Sequence, residues 1–365
     1  MGNQEKRSVR MVDSVIARYA KAQMQWHYEH GLMIHSAIEV AKTHGRTDII
    51  TWAYSMYDPF IAADGAIKTY RLGEYNLDQI NAGRNLFPLY EYSGEERFML
   101  AANLLKRQLN SQPRTFGGIY WHKEIYPWQV WLDGLYMQGP FNAQFCSASG
   151  DTVGYDDVVR QVVDTYRTLV DERTGLLYHA WDESRGQRWS DEQTGLSPHF
   201  WGRAIGWYAM ACLDILDYLP PKHPGHAQLG QIIAKLLAAL LPFQSESGMW
   251  YQVVDQGERE GNYLESSATA MFAYSMLKAV RLGIVGEQYV DWATKAIADL
   301  ERRYLRVDEA GNLHLGGICS VAGLGGNPYR NGTFYYYIKE PVVEDDFKGV
   351  GPYVLALLEV ERRSL

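Results

Sequence analysis

Gly175-Leu-Leu-Tyr-His179 joins a turn glycine to a short extended stretch carrying an aromatic ring. The same signature returns as Gly118-Ile-Tyr-Trp121, Gly248-Met-Trp-Tyr-Gln252 and Gly311-Asn-Leu-His-Leu315. Recurrence at a loose period of about 60 residues marks a repeated supersecondary unit. Helical periodicity fills the intervals, with segments near 8–24, 31–44, 47–63, 77–92, 95–110, 127–148, 155–171, 200–218, 226–244, 265–282, 287–303 and 347–362. The run VVRQVVDTYRTLV (158–170) is apolar on one face only, whereas ATAMFAYSMLKAV (268–280) is apolar nearly all round and calls for cover on every side. A chain of 365 residues holds about six units of two helices. Alternation of less and more apolar helices then gives an outer and an inner ring. The expected fold is all-α, a closed (α/α)6 toroid, because closure buries the unit faces that an open helical solenoid must cap; the open solenoid is the alternative. No Pro/Ser/Gly-rich linker divides the chain, so residues 1–365 are expected to form a single domain. The connections 111–126, 172–199, 245–264 and 304–346 are long and rich in Gly, Trp, Tyr and His, and on a toroid they would gather at one mouth.

Composition narrows the function. The formal net charge is -8 without a basic block, which argues against nucleic acid, so an anionic ligand would need a locally basic pocket. Core packing explains most of the 11 Trp and 26 Tyr, while those beside polar residues also suit stacking under a pyranose face. Cys146, Cys212 and Cys319 are odd in number and lack metal-ligand spacing, as expected of buried, reduced thiols in a cytosolic protein. The opening MGNQEKRSVR has no apolar signal core, and Lys6 stands where a myristoylation motif beginning at Gly2 needs Ser or Thr. Without a run of about 18 apolar residues no membrane span is expected, and the expected location is the cytoplasm.

The chemistry centres on carboxylates. Asp133 lies in Tyr126-Pro-Trp-Gln-Val-Trp-Leu-Asp-Gly-Leu-Tyr-Met137; if Pro127 opens the helix, Asp133 falls in its second turn among apolar neighbours. A carboxyl group placed so is either partnered structurally or kept protonated by desolvation, as a general acid must be. Asp78, in Tyr75-Asn-Leu-Asp-Gln-Ile-Asn-Ala-Gly-Arg84, would follow an Asn76 N-cap and sit in a first turn. Stabilising that helix end accounts for it, unless the turn brings it near Asp133, where two carboxyls would divide acid and orienting roles. In Ser197-Pro-His-Phe-Trp-Gly-Arg-Ala-Ile-Gly-Trp207, a helix would align His199, Arg203 and Trp207 along one stripe, arginine for a carboxylate and indole for a sugar ring; a core helix with a satisfied arginine is the structural alternative. The loops add His122, Lys123 and His179. No HExxH or paired-cysteine pattern is present, so a zinc site on these histidines is only a weak alternative and no metal is expected; no P-loop or GxGxxG points to a nucleotide cofactor, and no GxSxG anchors Ser-His-Asp chemistry.

Taken together, Trp26-His-Tyr-Glu-His-Gly-Leu32, Leu77-Asp-Gln-Ile-Asn-Ala-Gly83, His122-Lys-Glu-Ile-Tyr-Pro-Trp128, Trp131-Leu-Asp-Gly134, His199-Phe-Trp-Gly-Arg-Ala-Ile-Gly-Trp207 and Glu340-Pro-Val-Val-Glu-Asp-Asp-Phe-Lys-Gly-Val-Gly351 are specific in order and combination. On these motifs the chain resembles glycoside hydrolase family 105, the unsaturated rhamnogalacturonyl hydrolases, nearly end to end. Family 88, the unsaturated glucuronyl hydrolases, shares the fold and mechanism. The resemblance implies that Asp133 is the catalytic aspartate and Asp78 its partner. It implies further that His122, Trp131, His179, Arg203 and Trp207 line the sugar pocket, with Lys123 beside them. His30 and Gly31, and Gly323 and Leu324 within Val321-Ala-Gly-Leu-Gly-Gly326, would be rim contacts. The implied substrate is a short acidic oligosaccharide with a terminal 4,5-unsaturated uronyl residue, released by hydration of that double bond without metal or cofactor. A sugar epimerase using paired histidines, and a non-catalytic carbohydrate-binding toroid, are the competing readings.

Overall fold

The computed structural model describes residues 6–364; Gly2 lies outside them. Helices α1 (Arg7–Arg18), outer, and α2 (Tyr28–His44), inner, open the chain, followed by α3 (Thr47–Tyr57), outer, and α4 (Leu86–Ser93), inner. The alternation continues through α5 (Arg97–Ser111), α6 (Leu132–Ser149), α7 (Gly154–Leu169), α8 (Gly202–Leu216), α9 (Pro224–Leu240) and α10 (Ser266–Arg281). After outer α11 (Gln288–Tyr304) and the short α12 (Phe334–Lys339), α13 (Phe347–Arg362) completes the inner ring. The inner helices pack in sequence, α6 on α8, α8 on α10, α10 on α13 and α13 back on α2, while α2 and α6 both pack on the turns ahead of α4. The ring closes, so the fold is the (α/α)6 toroid and not an open solenoid.

Burial follows the hydrophobic pattern. Every residue of α8 is buried, as is α10 up to Val280, whereas α7 buries Tyr155, Val158, Val162 and Val163 and turns Arg160 to solvent. The four signature glycines, Gly118, Gly175, Gly248 and Gly311, all have positive φ, the left-handed turn a side chain would resist. Short two-stranded ribbons join β1 (Gln129–Trp131) to β2 (Ala180–Asp182), β3 (Leu305–Val307) to β4 (Leu313–Leu315), and β5 (Ile318–Cys319) to β6 (Val342–Val343). Cys146, Cys212 and Cys319 are buried and unpaired. Among the described residues one segment, Pro224–Phe243, is long and apolar enough to cross a membrane by length and composition. It comprises α9 and the 3-10 turn after it, and buries Leu229, Ile233, Leu236 and Leu237 in the core.

Helix α1 stops at Arg18 and α3 at Tyr57, short of the segments 8–24 and 47–63, and three further differences fall around the site. Residues 77–92 are not one helix: 3-10 turns Leu77–Gln79 and Asn81–Asn85 precede α4. Here Asn81 donates to the Tyr136 carbonyl and Asn85 to the Gly31 carbonyl, so buried amides are spent on neighbouring elements and not on a regular helix. The segment after Pro127 is strand β1, and α6 begins only at Leu132, which puts Asp133 in the first turn rather than the second. Helix α8 begins at Gly202, so His199 stands outside it and bonds Gln256 at 2.9 Å; only Arg203 and Trp207 keep the anticipated stripe.

Gly31 is buried where two elements pack closely. A Cβ there would lie 2.6 Å from the Ala82 Cα, where α2 crosses the turns ahead of α4. Gly31→Ala is therefore expected to destabilise the protein by about 1–3 kcal/mol, the usual cost of overpacking. Urea unfolding should show a lower midpoint with an unchanged slope.

Candidate active site

The β1–β2 ribbon builds the centre of the site. Its register sets Trp131 opposite Ala180, and at the ribbon's inner end the Leu132 N–H donates to the His179 carbonyl at 3.0 Å. The chain turns into α6 one residue later, so Asp133 and His179 meet, with His179 Nε2 3.3 Å from Asp133 Oδ2. Tyr337 holds the other ring nitrogen of His179 at 2.7 Å. Asp133 Oδ2 and His179 Nε2 are both buried and have no hydrogen-bond partner among the described residues. The surroundings of Asp133 are thus less apolar than its flanking residues suggest, because the imidazole comes from a distant loop.

Asp78 stands in a different environment. Asn76 caps its turn by accepting from the Asp78 N–H, as the sequence suggests. Lys123 Nζ lies 2.5 Å from one carboxylate oxygen and His122 Nε2 3.3 Å from the other. Burial alone would raise the Asp78 carboxyl, but the Lys123 ammonium and His122 outweigh it and hold the group well below the usual carboxylate range. That direction favours the ionised form of Asp78. A depressed folded-state pKa gives stability that is present above the unfolded value near ~4 and is lost only as pH falls through the lower folded value. Lys123→Met removes the main counter-charge and is expected to cost about 3–5 kcal/mol at neutral pH, as breaking a buried ion pair does, and to move acid unfolding to higher pH. Circular dichroism followed down a pH series reads both effects.

An aromatic stack braces this side. Trp131 lies between His122, at 4.8 Å and 8°, and Tyr126, at 5.0 Å and 14°. Leu324, Ala180 and Trp189 pack with Trp131 in a small separate apolar cluster. Arg330 donates to the Tyr126 hydroxyl and to the Leu324 and Gly325 carbonyls. A Cβ on Gly323 would fall 2.3 Å from that guanidinium, so Gly323 and Leu324 shape the 320–333 loop through Arg330 and Trp131.

Arg203 faces the site from the first turn of α8. Its Nη1 donates to the Cys319 carbonyl at 2.6 Å and to Ser267 Oγ at 3.3 Å, while Nε and Nη2 are buried without partners among the described residues. The balancing charge is indirect: the fully buried Glu265 carboxylate accepts from Ser267 Oγ and from the Cys319 N–H. Trp207 stacks on Tyr136 at 4.9 Å and meets the edge of Tyr28 at 6.0 Å.

Tyr28 is the residue the sequence reading missed. Burial drives its hydroxyl well above the ordinary range, and its ring meets Trp207 edge-on beside Arg203's helix. It lies within the quoted Trp26–Leu32 motif and opens α2, where its contact with Trp207 of α8 turns it toward the inner ring. The expected contact His30 instead bonds Tyr19 and meets the edge of Phe347, and burial pushes its imidazole down to about 4. His314, Glu344 and Asp345 also have ligating atoms within 4.8 Å of one another, but Arg306 and Arg18 already pair with the two acids.

A closed double ring of helices with a carboxyl, an imidazole and a half-free guanidinium gathered among stacked aromatics is the construction of a carbohydrate-active enzyme. Residues 7–364 match the sequence profile of Glycosyl Hydrolase Family 88, and the chain belongs to that family. A glycoside hydrolase from family 105 of C. acetobutylicum ATCC 824 superposes with a TM-score of 0.95 at 42% identity, over 98% of this chain and 100% of that one. The unsaturated rhamnogalacturonyl hydrolase YesR of Bacillus subtilis (strain 168) is 25% identical over 300 residues, 80% of each chain. A protein of Agrobacterium fabrum (strain C58 / ATCC 33970) is 42% identical over 226 residues, 60% of this chain and 96% of that one. The protein is an enzyme of the unsaturated-glycosidase type, as the motif resemblance implies.

Proposed function

We propose that the enzyme releases the non-reducing-end 4,5-unsaturated uronyl residue from lyase-generated fragments of rhamnogalacturonan type. The observation that carries this reading is that Asp133 Oδ2 and Arg203 Nε and Nη2, at the starts of neighbouring inner helices α6 and α8, are buried polar atoms unpartnered among the described residues. A free guanidinium edge suits a planar carboxylate, and it supplies the basic pocket that an overall acidic protein needs for an anionic substrate. The YesR likeness supports rhamnogalacturonan as the source.

In this mechanism the Asp133 carboxyl serves as the acid that delivers a proton to C4 of the enol ether, leaving an oxocarbenium-like centre at C5. The Asp133 carboxylate then takes a proton from water as the oxygen bonds to C5, which restores the acid. The hemiketal opens and the neighbouring sugar leaves with its own oxygen. One carboxyl acts as acid and then base, so the paired-carboxylate spacing of direct glycosidic displacement is not required. His179, held by Tyr337, positions the Asp133 carboxyl, and Asp78 with Lys123 and His122 forms a fixed charged wall.

The test is isotopic. In ¹⁸O water the label should enter the uronyl fragment at C5, and in deuterium oxide deuterium should appear at C4. Both positions are resolved by NMR while the alkene ultraviolet absorbance disappears. Release of the neighbouring sugar with the alkene signal intact would overturn hydration. A panel of lyase-generated disaccharides read by the same absorbance tests the rhamnogalacturonan preference, and faster turnover of glucuronyl substrates would reassign it.

A further inference from the structure

At the outer end of the β1–β2 ribbon stands an aromatic column that the site does not use. Phe116 is 90% exposed and stacks on Trp128 at 5.0 Å and 23°, and Trp128 in turn meets Trp121 at 4.8 Å. Trp121 directly precedes His122 of the charged wall, so the column is continuous with the site. Its inner members are partly buried, and one face of the outermost ring is left in water.

The column is held in place. Trp128 has φ +65°, a left-handed conformation that a bulky side chain adopts only under constraint. The Trp128 carbonyl accepts from the Glu183 N–H at 3.1 Å, and Glu183 Oε2 accepts from the Phe116 N–H at 2.9 Å. Buried Asp182 anchors the same corner by accepting from the Ser184 and Gln187 N–H groups. Three segments therefore combine to hold a phenyl ring against solvent, where packing gains nothing from it.

Direction completes the argument. The ribbon's inner end holds His179 and leads into Asp133, while its outer end holds Trp128 and Glu183. Four residues of extended chain place Trp128 roughly 13 Å outward from Leu132. We infer that the Phe116–Trp128 column is an outer subsite that stacks against the apolar face of a pyranose in the substrate's own chain, beyond the sugar next to the scissile bond. The inference rests on the oligosaccharide reading above and extends it: the enzyme would discriminate by length, favouring fragments long enough to reach the column.

The experiment compares wild type, Phe116→Ala and Phe116→Trp on unsaturated disaccharides and tetrasaccharides of one polymer, followed by loss of alkene absorbance. Because Phe116 is exposed, its truncation removes little packing. The ratio of kcat/KM on tetrasaccharide to that on disaccharide should fall roughly five- to tenfold in Phe116→Ala, through KM, which is what covering one face of a phenyl ring is worth. Phe116→Trp should retain the wild-type ratio. An unchanged ratio in Phe116→Ala, with wild type active on both lengths, would overturn the outer subsite alone and leave the column as a surface for some other partner. Wild type inert on every length would overturn the hydrolase reading and this one with it.

Discussion

Asp133→Asn should fold as wild type does and lose at least ~10²-fold in kcat, the lower range for removing a general acid–base. The fold should survive because Asp133 Oδ2 makes no hydrogen bond among the described residues, and an amide has the same shape. His179 Nε2, at 3.3 Å, would keep a polar neighbour in the variant. KM should change little, since the group acts on the double bond and not on the carboxylate. Thermal unfolding and alkene absorbance read the two halves of the expectation. Turnover within a few-fold of wild type would remove Asp133 from the mechanism and move attention to His179 and Tyr28.

Arg203→Lys is expected to weaken substrate binding by roughly 10- to 100-fold, the range for hydrogen bonds to charged groups. Lysine keeps the positive charge but not the planar edge, and it reaches one point where the guanidinium presents two donors. Structural strain is the obvious competing outcome, because Arg203 also bonds the Cys319 carbonyl and Ser267. Lysine can retain one of those bonds, so a rise in KM with a nearly unchanged thermal midpoint would identify the carboxylate contact. A matched fall in stability without a change in KM would make Arg203 a strut between α8, α10 and the β5 strand.

Particular residues show where the sequence was legible. ATAMFAYSMLKAV is apolar all round, and it lies in the fully buried run of α10; VVRQVVDTYRTLV is one-sided and lies mostly in outer α7. Asn76 was readable as a cap because its partner is two residues away. By contrast, Pro127 pointed to a helix start that strand β1 occupies, because the competing interaction is with β2, about fifty residues on. The stripe of His199, Arg203 and Trp207 lost its first member to Gln256 for the same reason.

What the sequence determined by itself is therefore the ring of helices and the identities of Asp133, Asp78, His179 and Arg203 as the notable polar groups. Helical amphipathicity, capping and turn glycines act between residues a few positions apart, so their energetics are written in local order. Only the tertiary structure decided what those groups do to one another. It set His179 against Asp133 and Tyr337, placed Lys123 on Asp78, brought Tyr28 inward, turned His30 toward Tyr19, and relayed Glu265 to Arg203 through Ser267. Most of these contacts join segments tens of residues or more apart and depend on a fit of a few ångströms between them. Hydrogen bonds and ion pairs are sensitive to distance and desolvation on that scale, and no spacing along the chain encodes it.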